Sequence, residues 1–439
     1  MSVRSPAQVI GSLEGCSGDR CRNAKVGPPR GHPRLTTIQI IALLVSLTAL
    51  LAFLNARFVK LPSQIGMLAI ALAGSIVVVV LDAAGAIDAS RIQQVVGQVD
   101  FGPTLLHGLL GLLLFAGALH LDIRELAAQR WSIASLSLGA TLLSTLLVGG
   151  AIYLVLAALG QGISLLDAML FGALISPTDP IAVMGLLKRS KVPGTLAIQI
   201  AGESLFNDGI GVVVFTILLG VSAGAHASIG DVAVLFARSA IGGAAFGAAL
   251  GYLGNRMLRA IDDYIVEVLV TLGIVLGGYA LAELIGVSAP IGAVVSGIAI
   301  GNRPQTPNGV HVRMFWDLVD ELLNAMLFLM LGLEATRLQV SFALGMAAAI
   351  AVPIVLAARL VSVGVSVAVL RPFGTAPPAH AVRILTWGGL RGGLAVALAL
   401  SLPPSAVRDP ILVMTYAVVA CSVLGQGLTL SPLLRRLGL

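Results

Sequence analysis

Thirteen apolar stretches follow one another between residues 37 and 431 and leave this chain few ways to fold. They are 37–56, 62–82, 101–121, 132–158, 165–187, 195–221, 229–255, 264–284, 288–301, 315–335, 339–370, 380–401 and 409–431. Most can cross the ~30 Å of hydrocarbon in a bilayer as a helix. Backbone groups in lipid must bond within their own segment, so such stretches read as helices. Composition agrees: charged residues make up 11% of the chain, against roughly 25% in an average soluble domain. Mean hydropathy is +0.98. The expected architecture is an all-α polytopic membrane protein with about 13 transmembrane helices. The ninth stretch is short, and Ser288-Ala289-Pro290 separates it only weakly from the eighth, so twelve stays open.

Loop charges order these spans. Fifteen of the 27 basic residues fall on one set of alternate loops and the C-terminus, whereas the opposite loops carry only Arg91, Arg337 and Arg408. This asymmetry places the C-terminus in the cytoplasm of a cell-membrane protein. It gives orientation and carries no suggestion of nucleic-acid binding. Thirteen spans put the N-terminus outside, against which the basic tail argues. Residues 1–34, rich in Gly, Pro and Arg, read as a disordered tail without a cleavable signal. Residues 35–439 read as a single membrane domain. Cys16 and Cys21 lack the second pair that a zinc site needs, and no cofactor is expected.

Two spans carry breaks. The fifth contains Ser176-Pro177-Thr178-Asp179-Pro180, and two prolines three apart cannot both sit in an unbroken helix. The twelfth contains Trp387-Gly388-Gly389-Leu390-Arg391-Gly392-Gly393, with four glycines around one arginine. Taking spans one to six and eight to thirteen as halves, both breaks fall at the fifth position. That pattern points to inverted six-helix repeats with two crossed, interrupted helices around a transport site. Asp179 would then face positive half-helix N-termini, and Arg391 negative C-termini.

The sixth span contains Gly202-Glu203-Ser204-Leu205-Phe206-Asn207-Asp208-Gly209. Ionisable groups at membrane depth are costly and mark ion or proton paths. Ser204 and Asp208 share a helix face, as do Glu203 and Asn207. Glu203 and Asp208 lie about 140° apart around the axis and meet different surroundings. Arg359 and Arg391 are the arginines at depth near the breaks. The preferred pairing is Glu203 with Arg359 and Asp179 with Arg391, with the swap as the alternative. Asp208 is left without an arginine and can hold either a proton or a cation. Oxygens of Asp208, Ser204 and Thr178, with a freed carbonyl, are hard donors suited to a small hard cation.

These segments resemble the monovalent cation:proton antiporter family, in its NhaP/NHE-like branch of sodium/proton exchangers. The resemblance also runs through Leu113–Asp122, Phe315-Trp316, Leu323-Asn324-Ala325, Gly332-Leu333-Glu334 and Gly427–Leu430. It implies a homodimer, a six-helix core that moves against a dimerisation domain, and Asp208 as the cation- and proton-binding aspartate with Asn207 beside it. Glu203, Ser204 and Thr178 match further site positions. Many relatives carry a glutamate where this chain has Ala116. The expected function is exchange of Na⁺, or Li⁺ or K⁺, for H⁺. The competing readings are K⁺/H⁺ exchange at the same site, a passive channel, and an intramembrane enzyme. His107 and His120 lack the partners the enzyme would need.

Overall fold

The computed structural model describes residues 36–97, 102, 104–160, 162–179, 183–184, 192–224, 228–303, 309–338, 340–373, 377, 380–405 and 407–438. The tail with Cys16 and Cys21 lies outside them, as do Pro180 and the basic cluster Lys188, Arg189 and Lys191. The described chain is helical. Eight helices are long and apolar enough to cross a membrane: Ile38–Val59, Ser63–Ala83, Arg130–Ala158, Gly194–Ser222, Gly230–Arg259, Tyr264–Ile285, Phe342–Leu370 and Arg408–Arg436. Each falls on an expected span. Leu110–Leu119, Leu165–Ile175 and Ala289–Gly301 are shorter apolar helices.

The site uses seven elements: α1 (Leu110–Leu119), α2 (Leu165–Ile175), α3 (Gly194–Ser222), α4 (Gly309–Glu334), α5 (Phe342–Leu370), α6 (Ala381–Trp387) and α7 (Gly393–Leu400). Helix α4 begins six residues before the apolar stretch at 315, so its first two turns carry charged residues. The third stretch is only partly α-helical, because a wider-wound turn, Thr104–Leu109, precedes α1.

The eighth and ninth stretches are separate helices. Gly286 takes φ +73° after Ile285 and closes the first. Ser288 then caps the second through the Ile291 N–H, with Pro290 in its first turn, where a missing N–H does no harm. Both expected breaks are present. Helix α2 ends at Ile175, and residues 176–178 lie outside any helix. Residues 388–392 likewise separate α6 from α7.

Small residues set the packing. A Cβ on Gly247 would lie 2.4 Å from the Gly292 carbonyl oxygen, and one on Gly172 2.4 Å from that of Thr145. Backbones touch at these places, the close approach that glycine permits between membrane helices. Around the outside, Ile241, Tyr252, Leu269, Leu284 and Phe342 are exposed, a surface suited to lipid.

Candidate functional site

The two breaks cross. The Asp179 N–H donates to the Leu390 carbonyl at 2.8 Å, an antiparallel bridge of one residue on each side. Prolines and glycines expose these backbone groups, and each break supplies the other with partners that a helix would have provided internally.

Arg391 is the pin of the crossing. Its Nη1 donates to the Pro177 carbonyl at 2.9 Å and to the Ser176 carbonyl, at the open C-terminal end of α2. Its backbone N–H donates to Ser422 Oγ at 2.9 Å. A guanidinium is well placed at a helix C-terminus, where carbonyls concentrate negative charge. The guanidinium expected to pair with Asp179 is bonded to carbonyls of the fifth span. Asp179 lies on the other side of the crossing, beside Gly392 at the start of α7. A Cβ on Gly392 would come within 2.5 Å of Asp179 Oδ2. This carboxylate therefore sits near the positive end of a half-helix, as the dipole argument expects.

Glu203 pairs with Arg359: Oε1 and Nη1 are 2.5 Å apart, and both side chains are at most 3% exposed. Arg359 also donates to the Leu385 carbonyl at 3.3 Å, which ties α5 to α6. Asn207 reads the break in the fifth span. Its Oδ1 accepts from the Thr178 N–H at 3.2 Å, and its Nδ2 donates to Thr178 Oγ1 at 2.9 Å. Thr178 Oγ1 lies 3.0 Å from Ser204 Oγ. One turn of α3 thus clamps the break, through Ser204 and Asn207, three apart on one face. Close packing supports the clamp, since a Cβ on Gly211 would lie 2.2 Å from Pro177 Cγ.

Asp208 carries no salt bridge among the described residues. It opens onto a cavity of about 80 Å³ whose wall includes Thr178, Asp179, Leu205, Asn324 and Gly392. That is room for a few waters or a partly hydrated cation. Ala116, buried in α1, contributes no oxygen there. Asp208, Thr178 and Asp179 share the cavity wall, and Asn207 and Ser204 hold the turn behind it. Glu203, Arg359 and Arg391 brace the crossing from within the protein. His120 lies near the rim of the protein, paired with Asp317 at 3.0 Å.

Sequence reasoning missed Asn324 and Asp320 as site residues. Asn324 is buried on the cavity wall, and its Nδ2 donates to Asp320 Oδ1 at 3.0 Å. The signal was present as Asp320 and Asn324 four apart at the start of an apolar stretch. Placing the helix start near residue 315 left this acidic turn at the membrane edge.

The chain is similar to known proteins along most of its length. Residues 43–436 match the family described as sodium/hydrogen exchanger, transmembrane. The Na⁺/H⁺ antiporter NhaP of Pseudomonas aeruginosa is 46% identical over 411 residues, covering 91% of this chain and 97% of its own length. The Na⁺/H⁺ antiporter NhaH of Halobacillus dabanensis is 34% identical over 416 residues, 92% of this chain and 98% of that protein. The structure of the sodium proton antiporter MjNhaP1 from Methanocaldococcus jannaschii superposes with a TM-score of 0.71, covering 91% of this chain and 98% of that one at 19% identity, and so shares the fold. With a family match across nearly all of its membrane-spanning length, the chain belongs to the sodium/hydrogen exchanger family.

Proposed function

We propose that this protein is a secondary active antiporter that exchanges Na⁺ for H⁺ across the cell membrane, with the C-terminus in the cytoplasm. The observation that carries the reading is Asp208: a carboxylate deep in a membrane helix, on a cavity, with no cation paired to it among the described residues. Two other buried carboxylates, Glu203 and Glu267, have arginine partners, Arg359 and Arg303. A paired carboxylate is held charged and structural, whereas Asp208 is free to trade a proton for a cation. Cation and proton then exclude one another at a single group, which is the minimum chemistry of coupled exchange.

Asp208, Thr178 and Ser204 supply hard oxygens for the transported Na⁺. Asn207 holds the Thr178 turn in register. The braced crossing lets α2, α3, α6 and α7 move as one body, presenting the same site to either side in turn. About 13 spans in two inverted repeats, a core and a dimerisation part interleaved in sequence, and a homodimer belong to this proposal.

The test is Asp208→Asn in proteoliposomes with an imposed pH gradient. Wild-type protein dissipates the gradient on addition of Na⁺, and the variant leaves it standing. Exchange at the wild-type rate by Asp208→Asn overturns the reading. The same assay with Li⁺ and K⁺ ranks the cations.

A further inference from the structure

Helix α4 reaches the cavity through Asn324, which is 1% exposed. The orientation of its amide is fixed by its neighbours. Nδ2 donates both to the Asp320 carbonyl at 2.8 Å and to Asp320 Oδ1 at 3.0 Å. Both partners are acceptors, so the amide cannot be flipped without losing both bonds. Oδ1 is therefore committed to the other side, buried and without a hydrogen-bond partner. A buried acceptor left bare is costly unless a donor or a positive charge comes to it.

Residues 317, 320 and 324 follow one helical face at spacings of three and four. Asp317 stands exposed at the outer end, next to His120. Asp320 is half-buried, and Asn324 is on the cavity wall. Oxygen donors thus lead from the surface to the cavity that holds Asp208.

We propose that Asp320 and Asn324 form an outer station for the transported cation, a second site through which a partly hydrated small monovalent cation passes to Asp208. The station rests on the antiport reading above. Two protein oxygens, Asp320 Oδ2 and Asn324 Oδ1, replace part of the hydration shell, and water completes it. This makes it a site of capture, upstream of the one where cation and proton compete.

The test uses the full chain reconstituted in vesicles, with exchange measured against Na⁺ concentration for wild type, Asn324→Leu and Asp320→Asn. Each substitution removes one oxygen donor or charge from the station and leaves Asp208, Thr178 and Ser204 in place. The expected result is an apparent KM for Na⁺ raised about five- to tenfold in each variant, with kcat within about twofold of wild type. Unchanged KM in both variants overturns the station, as does a fall in kcat at unchanged KM, which marks a structural strut. Should Asn324→Leu not fold, Asp320→Asn decides alone, because its amide oxygen can still accept from Asn324. A wild-type protein that exchanges no cation defeats the antiport reading itself, an outcome distinct from exchanging protein with insensitive variants.

Discussion

Replacing Glu203 by Leu should destabilise the protein far more than the loss of one contact suggests. The carboxylate and Arg359 sit 2.5 Å apart, neither more than 3% exposed. The other bond the structure gives the Arg359 guanidinium is a long one, 3.3 Å to the Leu385 carbonyl, and its Nε has no partner. Glu203→Leu therefore leaves a full charge in the interior with one weak acceptor. Breaking a buried pair from one side costs about 3–5 kcal/mol. At about 2–4 °C per kcal/mol, the melting temperature falls on the order of 10 °C. Removing both charges is a different perturbation. Glu203→Leu with Arg359→Met leaves no orphaned ion, and replacing a buried pair by apolar groups of similar size is close to neutral. The double variant should regain most of the lost stability. Thermal unfolding in one detergent, followed by intrinsic fluorescence for wild type, both single variants and the double, measures the coupling. If the double variant melts no higher than the less stable single, the pair is not the brace described here.

Other substitutions probe the crossing and its clamp. Gly392→Ala places a Cβ 2.5 Å from Asp179 Oδ2; displacing that carboxylate should slow exchange about tenfold in the vesicle assay, at the cost of a typical overpacking. Thr178→Val takes the hydroxyl from between Asn207 and Ser204; the apparent KM for Na⁺ should rise about tenfold, and Thr178→Ser should restore it. Gly247→Ala forces the Gly292 carbonyl away from a contact of 2.4 Å. It should lower the melting temperature by several degrees, an effect of about 1–3 kcal/mol, without changing the cation dependence of the exchange that remains.

Much of the fold is legible from the chain because the bilayer removes alternatives. Every expected span meets helix in the described residues, and the prolines and glycines locate the breaks at residues 176–179 and 388–392. The Glu203–Arg359 pair was one of two readings that charge inventory allowed. Arg391 shows what such an inventory leaves out. Sequence counts charged groups as partners for charged groups, but Arg391 is held by the carbonyls of Ser176 and Pro177. Those acceptors exist only because the helix stops there, and no residue letter records them. Asp320 and Asn324 were passed over for a related reason. An acid near the start of an apolar stretch looks like an interfacial residue until the extra turns of α4 place it one turn from Asn324 on the cavity wall.

The crossing also has a consequence for how the protein is made. Asp179 and Leu390 meet across 211 residues of chain. Synthesis proceeds from the N-terminus, so α2 and α3 enter the bilayer before either arginine has left the ribosome. Until then the Ser176 and Pro177 carbonyls lack their guanidinium, and Glu203 lacks Arg359. The early half is an insertion intermediate carrying unmet polar groups, held in waiting for the late half. A ribosome stalled before residue 359 would leave a product that the membrane's quality control can recognise by those groups.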